Sequence, residues 1–174
     1  TRQHPEMQRL TYLDADLYFY ASPEVMLDEA RDASVHIVEH RFSPAWAQLT
    51  VYGRFNVGWI TFTTGEEGRA VITDYRERCL EWCHDRLEGD RFGDQKYLDR
   101  WPERFPNCCV SQLQGANVAW WNLANAQPRR LGQRLFIGSE LLLFFHFQEI
   151  KRDAEGRYAT KREASEYGAY FDLV

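Results

Sequence analysis

The chain has 174 residues, 44% of them apolar and 15% aromatic, which allows one domain with a sizeable core and excludes a disordered chain. Its formal charge of −5 gives no electrostatic case for binding nucleic acid or anionic membranes. The longest apolar run, Leu141 to Phe147, is far too short to span a bilayer and nothing resembles a signal peptide, so the expectation is a soluble, cytoplasmic protein with no membrane span.

In chain order, RLTYL (9–13) reads as a short strand. Ser22-Pro23-Glu24 then opens a helix, with serine as N-cap, proline in the first turn and acids near the positive end, and VMLDEAR continues it. SVHIVEH (34–40) is rich in β-branched residues and predicts a strand, and RFNVGWITFTTG (54–65) predicts another that ends at glycine. Residues 70–87 place Tyr75, Cys79, Leu80, Trp82, Cys83 and Leu87 at helical spacing. A shorter helix is expected over 93–101, stopping at Pro102, followed by a strand over CCVSQL (108–113). Residues 133–147 read as two strands around Gly138-Ser139, and the charged segment 151–166 as exposed. Strands alternating with helices predict an α/β fold in a single domain, a mixed sheet flanked by helices.

Four cysteines, Cys79, Cys83, Cys108 and Cys109, match neither a zinc knuckle nor a secreted disulfide framework. A Cys79/Cys83/His84 metal site competes with the plainer reading of small buried residues on a helix face, which is favoured.

Asp14-Ala15-Asp16 follows the first strand directly. In an extended or turning segment, residues i and i+2 project to one side, so two carboxylates can converge on one ion. Hard oxygen donors suit Mg²⁺ or Mn²⁺, and ligands of open α/β sheets bind beyond the carboxyl ends of strands. Asp-x-Asp is also common by chance, and aspartate favours turns, so a solvated turn is the competing reading.

Several segments then occur in one order: TYLDADLYFY (11–20), HRFSP (40–44), YGRFNVGWITF (52–62), RCLEWCHDR (78–86), FGDQKYLDRWPERFP (92–106), GANVAWWNL (115–123) and FFHF (144–147). Together they resemble a bacterial family of nucleotide-diphospho-sugar transferases, GT-A-fold glycosyltransferases with a DxD metal motif. The resemblance implies a GT-A-like fold that transfers a sugar from a nucleotide-sugar donor to a hydroxyl of a sugar or glycan acceptor. Asp14 and Asp16 would hold Mn²⁺ or Mg²⁺ against the donor diphosphate, with His146 as a third ligand. Imidazole suits Mn²⁺ better than Mg²⁺, and the plainer reading of His146 is a packed strand histidine. Asp94 and Gln95 would face the acceptor or the transferring sugar, Asp94 being the candidate base; helix N-capping is the plainer role for Asp94. Asn56, Gly58 and Trp59 would line the acceptor side. Trp120, Trp121 and Asn122 lie in a glycine-led loop, where one tryptophan is expected to pack in the core and the other to meet sugar.

GT-A enzymes place a nucleotide-binding half of βαβ units before the DxD strand, whereas here few residues precede it. The chain is then expected to be a truncated C-terminal, metal- and acceptor-binding part, a sheet completed as a homodimer, or a reduced fold. An unpaired strand edge is expected in consequence. Two other functions compete. One is a non-catalytic module that binds a glycan or partner through aromatic loops. The other is a haloacid-dehalogenase-like phosphatase, which also begins with a strand and D-x-D, and whose later acidic motif GDRFGD (89–94) imitates. Against the phosphatase, Tyr18 stands where threonine or valine is expected, and the acidic motif follows a helical pattern, not a strand.

Overall fold

The computed structural model describes residues 4, 6–148, 150–152, 154–155 and 158–160. In chain order its elements are β1 (Arg9–Leu13), β2 (Leu17–Phe19), α1 (Glu24–Glu29), β3 (Val35–Glu39), β4 (Phe55–Thr63), α2 (Glu66–Glu81), α3 (Trp101–Arg104), β5 (Cys108–Val110), β6 (Pro128–Leu131), β7 (Arg134–Ile137), β8 (Glu140–Leu141), β9 (Phe144–His146), β10 (Ile150–Arg152) and β11 (Tyr158–Thr160). Short 3₁₀ segments cover Pro44–Tyr52, Gln95–Arg100 and Leu123–Asn125.

The central sheet has the order β1-β4-β3-β5. The first three strands run antiparallel, and β5 lies parallel to β3, so the α/β fold has a mixed sheet as expected. Side chains alternate across it and build a core on each face. Val35, Ile37, Ile60 and Phe62 face α2 and α3, packing on Val71, Leu98 and Trp101. Val38 and Trp59 face the other way, onto Met26 of α1 and Phe144 of β9. A third cluster, with Val118, Trp120, Trp121, Leu135 and Phe145, joins β9 to the β6-β7-β8 meander.

Two features of β1 and β4 position the site. β4 pairs with β3 through Ile37↔Ile60 and then Val38↔Asn56, so residues 57–59 form a bulge between consecutive β3 partners. The bulge re-aims Asn56 and Gly58 toward the end of β1, as bulges next to functional sites commonly do. β1 forms the outer edge of the sheet among the described residues, with Leu10, Tyr12 and Leu13 exposed.

Several boundaries differ from the sequence expectation. α2 begins at Glu66 because Gly68 lets the helix press on β4: a Cβ there would lie 2.2 Å from the Thr63 carbonyl oxygen. It ends at Glu81, since Trp82 turns extended and buries its ring, with Arg91 over the ring face and Tyr97 donating to its carbonyl. Tertiary packing thus overrides the helical spacing that continued to 87. Pro102 sits in the first turn of α3 instead of stopping the preceding turn, where its missing N–H costs nothing because first-turn N–H groups have no intrahelical partner. The region 133–147 holds three strands, not two. Within the charged segment 151–166, Ala154 and Glu155 are exposed and β11 pairs with β10; residues 161–166 lie outside the described residues.

Candidate metal centre

Asp14, Asp16 and His146 converge in the structure. Asp14 leaves β1 with its N–H donating to the Gly58 carbonyl, which ties it to the β4 bulge. Asp16 precedes β2, which pairs with β9 so that Leu17 lies opposite His146, and the Asp16 carbonyl accepts from the Phe147 N–H. Two strand pairings therefore bring a local carboxylate pair against a histidine 130 residues away in sequence (146 − 16).

His146 Nε2 lies 3.1 Å from Asp16 Oδ1 and 3.7 Å from Asp14 Oδ2. Adjacent donors around a six-coordinate ion with ~2.1 Å metal–ligand bonds sit ~3 Å apart, and the three donor atoms lie within 4.8 Å of one another, compact enough for such an ion. The donor set, two carboxylates and one imidazole, fits Mn²⁺ and also admits Mg²⁺. The imidazole beside it holds the Asp16 carboxyl below the usual carboxylate range, although partial burial opposes this. Tyr12, not anticipated from sequence, donates its hydroxyl to Asp14 Oδ1 at 2.8 Å. That bond, partial burial and the nearby Asp14, Asp94 and Asp16 charges push the Tyr12 phenol up to about 12.

The His146 ring is buried and clamped on every side but one. Gly58 lies against it: a Cβ there would come within 2.9 Å of His146 Cε1 and 2.6 Å of Asn56 Oδ1. The Trp121 ring meets it edge-on at 5.4 Å, and Asn117 Oδ1 lies 3.4 Å from Nδ1. The main chain fixes this register, since the His146 N–H donates to the Val118 carbonyl. Only Nε2 faces the carboxylates. Behind the ring, His40 is buried, and burial holds its imidazole down at about 4. The neutral ring accepts from Asn56 Nδ2 at 3.1 Å, and Asn56 Oδ1 accepts from the Gly58 N–H.

A pocket of about 510 Å³ opens on the three ligand residues, walled by Ala15, Asn56, Val57, Gln95 and Gln148. That volume suits a small-molecule ligand. Of the residues expected at an acceptor side, Asn56 and Gln95 reach this pocket, Gln95 being held by a bond to the Tyr52 carbonyl. Asp94 is not among the residues walling this pocket; its charge lies near Tyr12 and opposes the ionisation of Tyr75, Cys79 and Cys83. It makes no side-chain cap bond to the turn that follows. Trp59 is in the core, stacked on Phe144, and offers no surface to a sugar. Trp120 and Trp121 are both buried. Trp121 donates to the His40 carbonyl, and Asn122 to the His40 and Asn117 carbonyls. Gly58 and Trp121 thus pack on His146, and Asn122 holds its neighbour Asn117, instead of lining this pocket.

The cysteines form no metal cluster among the described residues. Cys79 is half-buried, and burial together with its neighbours pushes its thiol up to about 12; Cys83 is exposed beyond the end of α2, which corrects the expectation of two buried helix-face residues.

No family model matches the sequence. Two proteins of Bacillus subtilis (strain 168) are similar to it. The uncharacterized protein YfnF is 34% identical over 152 residues, covering 83% of this chain and 50% of its own length. The uncharacterized protein YfnD is 31% identical over 147 residues, covering 82% of this chain and 47% of its own length. The chain spans about half the length of the curated relatives it matches. No helix among the described residues is long and apolar enough to cross a membrane.

Proposed function

We propose that this chain is the metal- and acceptor-binding part of a divalent-cation-dependent glycosyltransferase that uses a nucleoside-diphosphate sugar. The observation that carries the reading is the convergence of Asp14, Asp16 and His146 at the mouth of one pocket. A surface turn would leave the two aspartates solvated. Here a buried imidazole is aimed at them instead, and a phenol steadies one of them.

Asp14, Asp16 and His146 would hold Mn²⁺ or Mg²⁺. A divalent cation there would neutralise the charge that develops on a departing diphosphate. The chain's own residues supply the remainder. Asn56, Gln95 and Gln148 line the pocket; the Asn56 amide is committed to His40 and the Gly58 N–H, so Gln95 and Gln148 are the amides that would exchange bonds with hydroxyls of a neutral polyol. Holding such an acceptor beside the metal site supplies orientation, the main contribution a positioning pocket can make. The half-length match to YfnD and YfnF fits a reading in which a nucleotide-binding part lies in another segment.

Isothermal titration with Mn²⁺, with and without a nucleoside diphosphate, tests the proposal. The transferase reading expects each to tighten the other's binding. Asp16→Asn should abolish Mn²⁺ binding with little change in thermal stability, because the Asp16 side chain is 42% exposed. Equal Mn²⁺ affinity in that variant refutes the metal site. Trapping of beryllofluoride at Asp14 would instead point to phosphatase chemistry.

A further inference from the structure

Asn117 lies in GANVAWWNL (115–123), where the sequence patterns single out only Trp120, Trp121 and Asn122, yet it makes the side-chain contact at Nδ1 that can decide how His146 presents itself. It is fully buried, and its backbone is left-handed, at φ 52°, a conformation asparagine tolerates better than most residues. Both ends of its amide are committed. Nδ2 donates to the Glu39 carbonyl at 2.9 Å, which can only accept, so the oxygen is the end that faces His146. Oδ1 then lies 3.4 Å from His146 Nδ1, and an acceptor at that place requires a proton on Nδ1. The Asn117 carbonyl is itself held by Asn122 Nδ2 at 2.9 Å, and the neighbouring Val118 is bridged to Phe145. These bonds fix the Asn117 main chain, and the side-chain amide cannot turn away without breaking its bond to the Glu39 carbonyl.

We infer that Asn117 is a positioning residue for the cation site: it keeps His146 in the tautomer that leaves the Nε2 lone pair for the cation between Asp14 and Asp16. This deepens, and rests on, the metal-binding reading above. Imidazoles that bind metals are generally fixed by a partner on the other ring nitrogen, and loss of that partner costs about 10- to 100-fold in affinity. The nitrogen ligand is also what favours Mn²⁺ over Mg²⁺, since carboxylates serve both ions well. Asn117 therefore sets selectivity as well as affinity.

The test compares wild type with Asn117→Gly, a substitution that keeps the left-handed backbone without strain and removes the side chain, methylene and amide together. Binding of Mn²⁺ alone and Mg²⁺ alone is measured by calorimetry on the chain. The expected result is an Mn²⁺ affinity about 10- to 100-fold weaker with Mg²⁺ affinity reduced far less, so that the preference for Mn²⁺ collapses. A purely structural role would weaken both ions alike. Unchanged Mn²⁺ affinity in Asn117→Gly, or an equal loss for both ions, overturns the assignment while leaving the metal site standing. Absence of Mn²⁺ binding in wild type overturns both. A second measurement needs no variant: long-range ¹⁵N–¹H correlation of the histidine rings in wild type titrated with diamagnetic Zn²⁺. Protonated Nδ1 and metal-bound Nε2 are expected for His146, assigned by comparison with His146→Gln; the opposite tautomer overturns the inference.

Discussion

Replacing Gly58 by alanine probes the site through a single methyl group. The added Cβ would lie 2.6 Å from Asn56 Oδ1, 2.9 Å from His146 Cε1 and 3.0 Å from His146 Nδ1. None of these neighbours can yield freely. Asn56 accepts from the Gly58 N–H and donates to His40, so rotating it breaks two buried hydrogen bonds at about 1 kcal/mol each. The His146 ring is backed by Trp121, so it can retreat only by swinging Nε2 off the carboxylates. Overpacking of this kind costs about 1–3 kcal/mol, against which alanine recovers about 0.4–1 kcal/mol by restricting the unfolded chain. A net loss of up to about 2.5 kcal/mol is expected, together with about 10-fold or greater weakening of Mn²⁺ binding from the displaced ring. Urea unfolding at constant slope reads the first quantity and Mn²⁺ calorimetry the second. Gly65→Ala is the control: its backbone is ordinary at φ −67° and nothing lies within 4 Å of the new methyl, so its effect should stay within about 0.5 kcal/mol. Gly58→Ala with the wild-type urea midpoint and wild-type Mn²⁺ affinity would refute the claim that close backbone approach seats the histidine.

His40 should make stability pH-dependent. Its folded pKa of about 4 lies below the ordinary 6.5, so the unfolded chain takes up the proton first; stability is full above pH 6.5, falls as pH drops through that value and levels off below about 4. Between pH 7 and 5 the loss is about 2 kcal/mol, read from urea midpoints, and His40→Gln should flatten that slope; an equal slope in the variant counts against it. Trp59→Ala should cost about 3–5 kcal/mol by emptying the core between Phe19 and Phe144, whereas an acceptor-surface tryptophan could be removed with little loss of stability.

The parts of this fold that were legible in the sequence are those whose signal is local. β1, β3 and β4 carry β-branched or alternating residues that fit a half-buried sheet, and the Asp14/Asp16 pair is a matter of two-residue spacing. β2 was hidden because three residues after a turn carry too little periodicity, and β6 because Pro128-Arg129-Arg130 reads as a loop until β7 pairs with it. Aromatic identity does not encode exposure: Trp59 and Trp121 look equally suited to stack on a sugar or fill a core, and packing on Phe144 and His146 decides the matter. Asn117 left no trace because its effect depends on a left-handed backbone and on a neighbour 29 residues away.

The site depends on strand pairings in two sheets. The carboxylates are placed by the pairing of β1 with β4, and the imidazole by the pairing of β2 with β9 and the Val118–Phe145 bridge. Adjacent strand residues point to opposite faces, so a one-residue slip of β9 would present Phe145 or Phe147 to the carboxylates in place of His146. A cation that needs all three ligands binds only the native register and therefore stabilises it, by about 2.7 kcal/mol at a hundred times its Kd. Both ring nitrogens of His146 face oxygen atoms, Nδ1 that of Asn117 and Nε2 those of Asp14 and Asp16. Strand register alone thus sets whether a buried imidazole or a phenyl ring meets the carboxylate pair, which is the arrangement the proposed metal reading requires.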